Sequence, residues 1–301
     1  MMEIRLRQPH SFVQLGRRSN QEDARFPDCD APQDCRPAFV VCDGVGGCDK
    51  GEVASRTVAD AIGGAMEDYD LSAPFGVRDF SHVLDYAYGA LDRMASPANA
   101  GMATTMTFVC FHGAGVFTAH IGDSRIYHVR PGVGIMHRSE DHSLVSALVH
   151  SGNITPQQAV NHPQSNVITR CMSASARGAR AEASTLQIKD VEPGDYFFLA
   201  TDGVQHGVDD EALYRILCSQ RSDKDKMAEI ASLCARGSDN STATLVCVDS
   251  VDGATLSAPH DMPGSGATEP IDTPDEVVVE TSAPRKRGVA AYISDIINKL
   301  F

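Results

Sequence analysis

Residues 39–47 read Phe39-Val40-Val41-Cys42-Asp43-Gly44-Val45-Gly46-Gly47. Four consecutive apolar side chains make a strand, and a run without alternation belongs to a strand buried on both faces. The run stops at a carboxylate, and glycine fills three of the next four positions. Glycine lets a backbone approach a ligand closely. A carboxylate beside a turn carbonyl offers the oxygen donors that a hard cation prefers. Taken alone, the stretch fits a solvated Asp in a tight turn equally well. Recurrence elsewhere in the chain separates the two readings.

Residues 196–200 form a second wholly apolar run, and it too ends in Asp-Gly, at Asp202 and Gly203. Residues 104–111 alternate, with Met106, Phe108 and Cys110 on one face. Gly113-Ala114-Gly115 marks a hairpin. Residues 116–121 follow, with Phe117, Ala119 and Ile121 on one face, and residues 126–129 resume a strand after Gly122-Asp123-Ser124-Arg125. Residues 242–248 close the series behind Ser238-Asp239-Asn240-Ser241. Residues 11–16 read as a short strand near the start. These runs predict an antiparallel meander. Asp43, Asp123, Asp202 and Asp239 all stand at the ends of its strands. Gathered at one end of a sheet, they would repel one another and raise each other's pKa unless cations neutralised them. Oxygen-only donors favour Mg²⁺ or Mn²⁺ over Zn²⁺ or Cu²⁺.

Helical periodicity appears between the strands. Ala54, Val58, Ile62, Ala65 and Tyr69 predict a helix over 51–69, although Gly63-Gly64 costs about 1 kcal/mol per glycine. Phe80, Val83, Leu84, Ala87 and Leu91 predict a second over 77–94, and two more are expected over 209–219 and 224–236. Residues 137–177 are polar and helical only in pieces. Within them, Asp141-His142-Ser143 reads either as a helix-capping Asp beside a loop His or as metal ligands or an acid–base pair.

A chain of 301 residues buries a full core, and its hydrophobic fraction of 42% is that of a globular protein. The net charge of −14 argues against nucleic acid as a partner. The nine Cys form no CxxC pair, and Cys42, Cys110 and Cys247 sit inside apolar runs. That usage suggests a reducing, cytoplasmic compartment. The first ten residues lack the apolar core of a signal peptide, and no run reaches membrane-spanning length. Arg17-Arg18-Ser19-Asn20-Gln21-Glu22-Asp23 fits a surface ion-pair cluster. It also fits an Arg that grips an oxyanion beside acids that support a cation.

Six stretches carry a specific resemblance: RRSNQED (17–23), FVVCDGVGG (39–47), GDSR (122–125), NHPQSNVITR (161–170), YFFLATDG (196–203) and SDNSTATLV (238–246). In this order and spacing, over about residues 8–250, the chain resembles the metal-dependent protein phosphatases of type 2C, and their bacterial branch most. The resemblance implies an α+β fold, a four-layer α/β/β/α sandwich of two antiparallel sheets flanked by helices. It implies hydrolysis of phosphoserine and phosphothreonine in proteins, opposing a Ser/Thr kinase, with two Mn²⁺ or Mg²⁺ ions and a weaker third. By the same resemblance, Asp43 bridges two ions, the Gly44 carbonyl completes one, and Asp202 and Asp239 hold the other. Asp123 serves the third ion with Asp202. Glu22, Asp23 and Asn240 act through water, Arg18 grips the phosphate, and 142–177 is a flap. A water bridging the two ions would attack phosphorus in line. Val45 departs from the pattern, because many members carry a proton-donating His there. Two other classes share this fold, a catalytically dead binding module and a small-molecule phosphoesterase; the filled ligand positions argue against the first.

Beyond Val251 the composition changes. Residues 251–284 are rich in Pro, Ser, Thr and acids, and read as a disordered linker. Residues 285–301 begin with Arg285-Lys286-Arg287 and carry Val289, Tyr292, Ile293, Ile296, Ile297 and Leu300 at helical spacing. They predict a short amphipathic helix that docks on the chain's own folded domain or a protein partner or, less favoured, on a membrane surface.

Overall fold

The computed structural model describes residues 2–27, 35–45, 50–97, 101–160, 162–174 and 180–253. In chain order these form β1 (Glu3–Leu6), β2 (His10–Gln14), β3 (Asp23–Phe26), β4 (Ala38–Asp43), α1 (Gly51–Met66), α2 (Val77–Met94), β5 (Ala103–Thr104), β6 (Met106–His112), β7 (Gly115–Ile121), β8 (Arg125–Arg130) and β9 (Gly134–Arg138). Then come α3 (Leu144–His150), α4 (Pro156–Val160), β10 (Met172–Ser173), β11 (Ser184–Ile188), β12 (Tyr196–Ala200), α5 (Asp202–Gln205), α6 (Asp210–Leu217), α7 (Asp223–Cys234) and β13 (Ser241–Asp252).

One sheet has the order β1-β13-β12-β8-β9, with β2 also paired to β13; the other has the order β11-β7-β6-β4-β3. Every pairing in both is antiparallel. Side chains alternate across each strand, and this divides the core into three bodies. Val40 and Cys42 of β4, with Phe108 and Cys110 of β6, pack against Ala54, Val58 and Ile62 of α1 and Phe80, Val83 and Leu91 of α2. Phe39 and Val41 turn the other way, between the sheets, and meet Phe197, Leu199 and Val246. Tyr196, Phe198 and Ala200 face Leu213 and Ile216 of α6 and Ile230 of α7. Helix, sheet, sheet and helix are therefore stacked as four layers. The apolar runs at 39–42 and 196–200 are continuous because each strand has a core on both faces.

The expected helix over 51–69 ends at Met66, while Tyr69 still packs edge-on against Phe75. The helix over 77–94 has the expected bounds. β1, β3, β9 and β11 were not expected, and all four lie at sheet edges. The helices of the polar segment contribute little to the core, and α3 buries none of its residues. The strand that ends the sheet runs to Asp252. The expected linker beyond Gly253 and the helix over 285–301 lie outside the described residues.

Candidate active site

β4 and β3 run side by side, with Asp43 directly opposite Asp23. The backbone around Asp43 is clamped by two threonines. Its N–H donates to Thr105 Oγ1 at 3.0 Å, and its carbonyl accepts from Thr104 Oγ1 at 2.8 Å. Thr105 Oγ1 also lies 2.7 Å from Ser124 Oγ, which ties this strand end to the turn that carries Asp123. Gly44 follows at a close approach. A Cβ there would sit 2.6 Å from the Gly51 carbonyl oxygen and 2.7 Å from that of Glu22.

Asp202 opens α5 immediately after β12, and Asp239 sits in the turn that enters β13, the neighbouring strand. Gly203 allows this contact, because a Cβ on it would overlap the Asn240 carbonyl. Gln205 Nε2 donates to the Asp123 carbonyl at 3.0 Å, so α5 also holds the Asp123 turn. A cavity of about 390 Å³ is lined by Arg18, Val45, Asp123, Asp202, His206 and Asp239, with Asn166 and Ile168 contributed by the polar segment.

The structure thus brings the four strand-end Asp residues to one end of the sandwich, and their electrostatics follow. Burial holds the Asp43 carboxyl well above the usual carboxylate range, and Asp23, Asp202 and Asp123 add to the effect. Asp202 is raised by burial and by Asp239, although His206 opposes the shift. Asp123 is pushed up to about 7 by burial, with Asp202 and Asp141 adding. Asp23 is likewise pushed up to about 7 by burial, against the opposing hydrogen bond of the Thr201 hydroxyl. Thr201 Oγ1 donates to Asp23 Oδ2 at 3.0 Å, but Asp23 Oδ1 is buried with no hydrogen-bond partner.

This donor set fits divalent cations. It is all oxygen, it carries excess negative charge, and it includes an unsatisfied buried carboxylate oxygen. Among the described residues, no three His, Cys, Asp or Glu side chains stand close enough together to hold an ion as they are. Asp43 and Asp202 each act on the other's titration. Arg18 Nη2 donates to Asp239 Oδ2 at 2.6 Å.

Other expected residues take different positions. The Asn240 side chain is committed to backbone groups: Oδ1 accepts from the Glu22 N–H at 2.8 Å, and Nδ2 donates to the Leu15 and Asn20 carbonyls at 2.9 and 3.0 Å. It fixes the 15–22 loop that presents Arg18. Through its backbone, Glu22 also receives hydrogen bonds from Gly44 N–H and Ser55 Oγ. Asp141 does not cap a helix. Ser143 is the cap, and Asp141 instead holds Arg125 through two bonds of 2.7 Å. His142 is no free acid–base group either. Its Nδ1 accepts from Gly122 N–H, Nε2 meets Ser184 Oγ at 2.8 Å, and the ring stacks on His120. Burial lowers its pKa to about 3. Thr105 and His206 were not singled out in the sequence, and Thr201, inside the 196–203 motif, was given no role there.

The Protein phosphatase 2C family model matches residues 16–235. The chain belongs to this family. It is 33% identical over 217 residues to a putative protein phosphatase 2C-type of Streptococcus pyogenes, covering 71% of this chain and 86% of the relative. The serine/threonine phosphatase PstP/Ppp of Mycobacterium tuberculosis superposes with a TM-score of 0.69 at 27% identity, over 81% of this chain and 99% of that one. A PstP catalytic domain in complex with two manganese ions superposes at 0.65 and 26%, over 82% and 100%. This chain is a bacterial-type member of the 2C family, with its α+β fold.

Proposed function

We propose that the chain hydrolyses phosphoserine and phosphothreonine in proteins, as a divalent-metal-dependent 2C phosphatase that opposes a Ser/Thr kinase. The observation that carries this reading is the set of carboxyls at one end of the sandwich, raised by burial and by one another. Such a set is stable as carboxylates only with cations beside it. Asp43, the Gly44 carbonyl, Asp202 and Asp239 would hold two Mn²⁺ or Mg²⁺ ions, and Asp123 with Asp202 a third. When bound, the ions supply Lewis acidity, lowering the pKa of a bound water and neutralising phosphoryl charge.

The chain's own residues do the rest. Arg18 lines the cavity with its guanidinium half exposed and binds the phosphoryl oxygens. Asp23, behind Asp43, adds negative charge that strengthens cation binding, and Glu22 supports the same cluster through water. Asn240 holds the Arg18 loop in place. Val45 lines the cavity and has no proton to give the leaving alkoxide. No cysteine nucleophile is needed. The described thiols with resolved shifts, Cys42, Cys110, Cys234 and Cys247, are buried and held protonated by burial.

The segment over 285–301 would dock on a protein partner, and the compartment would be the cytoplasm. Among the described residues, no helix is long and apolar enough to cross a membrane. Metal-stripped protein, assayed with phosphoserine and phosphothreonine peptides and with small phosphate esters, tests the proposal. Activity should be absent in chelator and return with Mn²⁺ or Mg²⁺, with the peptides preferred. Full activity in excess chelator would overturn the metal reading, and small esters alone as substrates would overturn the protein substrate.

A further inference from the structure

A second cavity lies at the opposite end of β12. It measures about 310 Å³, and its lining includes Arg7, Tyr196, Leu217, Ser219, Arg221 and Lys226. Tyr196 opens β12, and Asp202 follows its far end. Five strand residues at roughly 3.3 Å each put about 17 Å between them. The cavity is therefore separate from the carboxylate cluster.

Lys226 is the telling group. It is only 4% exposed. Its ammonium gives one hydrogen bond, to Tyr196 Oη at 2.7 Å, and lies 4.6 Å from the centre of the Tyr196 ring, while Asp223 Oδ1 stands off at 3.7 Å. Tyr196 Oη passes its own proton to Asp223 Oδ1 at 2.6 Å. An ammonium has three donors, and burying it with donors unmatched is costly. Ser219 contributes a second orphan, because its Oγ is buried without a hydrogen-bond partner. Arg7 and Arg221 flank these two groups. Arg7 has only long contacts to carboxylates, 3.4 Å to Asp223 and 3.7 Å to Asp249. Arg221 pairs with Glu229. None of these carboxylates is among the residues that line the cavity.

We propose that this cavity is a second anion site, built for a phosphate monoester or for phosphate itself. Arg7 from one segment and Arg221 and Lys226 from another line it, beside a serine whose hydroxyl has no protein partner. Guanidinium forks match phosphoryl oxygens in pairs, and a lysine adds a point charge. The volume is at the small end for ligand pockets, which suits a phosphoryl group on a short stem better than a nucleotide. The inference does not depend on the phosphatase reading.

Titration of ¹⁵N-labelled full-length protein in chelator tests it, with inorganic phosphate and with a phosphothreonine peptide as separate probes. The amides of Gly194, Ser219 and Gln220 should shift saturably. Arg221→Ala and Lys226→Met should each weaken that response at least tenfold, while shifts around Asp239 persist. Arg221 is exposed, so its variant keeps the fold even if the buried Lys226→Met does not. Peptide binding at least tenfold tighter than phosphate would identify a phosphorylated protein segment as the occupant. Equal affinities would identify free phosphate. Absence of saturable shifts at those amides with either probe, or an unchanged affinity in Arg221→Ala, would overturn the site.

Discussion

Arg18 Nη2 donates to Asp239 Oδ2 at 2.6 Å and so joins two residues 221 positions apart in the chain. This bond is the main reason the Arg18 guanidinium titrates above its usual value. It also aims the guanidinium at the cavity that Asp202 and Asp123 line. The pair is partly solvent-exposed, so its contribution to stability is small, about 0–1 kcal/mol. Arg18→Ala should therefore leave the melting temperature nearly unchanged. It should raise KM for a phosphothreonine peptide by about tenfold, with a smaller effect on kcat. Steady-state kinetics beside a thermal melt separate the two effects; an unchanged KM would remove Arg18 from phosphate binding.

Asp43→Asn and Asp239→Asn should each lower turnover by about a hundredfold or more at saturating Mn²⁺, a loss of ~2.7 kcal/mol of transition-state stabilisation. Stability should move the other way. Asp43 faces Asp23 across the β3–β4 pair and is raised by Asp202 and Asp123 as well. Removing its charge relieves that repulsion, so Asp43→Asn should melt higher than the parent in chelator. A variant with near-parental rates would show that its carboxylate holds no ion.

The same crowding predicts a pH dependence of the metal-free protein. Burial raises Asp23 and Asp123 from 3.8 to about 7 in the folded chain. Between those values the folded state binds protons that the unfolded state has released. Stability from these groups is thus full below about 3.8 and is lost as pH rises through about 7. His112, His120, His137 and His142, all lowered by burial, work against this on acidification, so the carboxyl contribution is read as a difference between variants. In chelator, the slope of melting temperature from pH 5 to pH 8 should be more negative in the parent than in Asp123→Asn, and Mn²⁺ should make the parent's slope less negative. A slope indifferent to both changes would contradict the shared-charge account.

Central strands were legible in the sequence and, β2 apart, edge strands were not, for one physical reason. β4 and β12 have a core on each face, so every position must be apolar. β3 has neighbours on one side only, and Asp23 and Arg25 fill half of it. Such a strand carries no periodicity to read. The site was legible where a motif joined a strand end to a carboxylate. It was not legible where a side chain serves a distant backbone, as Asn240 does for the Arg18 loop. Asp141 misleads in a similar way, because its partner Arg125 opens β8, outside the loop that carries Asp141. The Gly63-Gly64 pair weakened a helix that nonetheless forms. A Cβ on Gly63 would enter the Phe26 ring, so that glycine is required by packing, whereas Gly64 meets nothing within 4 Å.

That contrast supplies a control for the last prediction, which concerns Gly203. The glycine lies in the first turn of α5, between Asp202 and the backbone that carries Asp239 and Asn240. A methyl group there would overlap the Asn240 carbonyl and sit 3.4 Å from Asp239 Cβ. The obstacle is the buried backbone that leads into β13, which cannot swing aside as a flexible side chain would. Gly203→Ala must therefore push α5 away from β13 and separate Asp202 from Asp239. Overpacking of this kind costs about 1–3 kcal/mol. Gly64→Ala, in an open helical position, should instead stabilise by about 0.5–1 kcal/mol. The two variants should thus differ in the sign of their shift in melting temperature. The Mn²⁺ concentration for half-maximal activity should rise in Gly203→Ala and stay at the parental value in Gly64→Ala. If Gly203→Ala bound Mn²⁺ as the parent does, close approach of α5 to β13 would not be what sets the spacing of the two carboxylates.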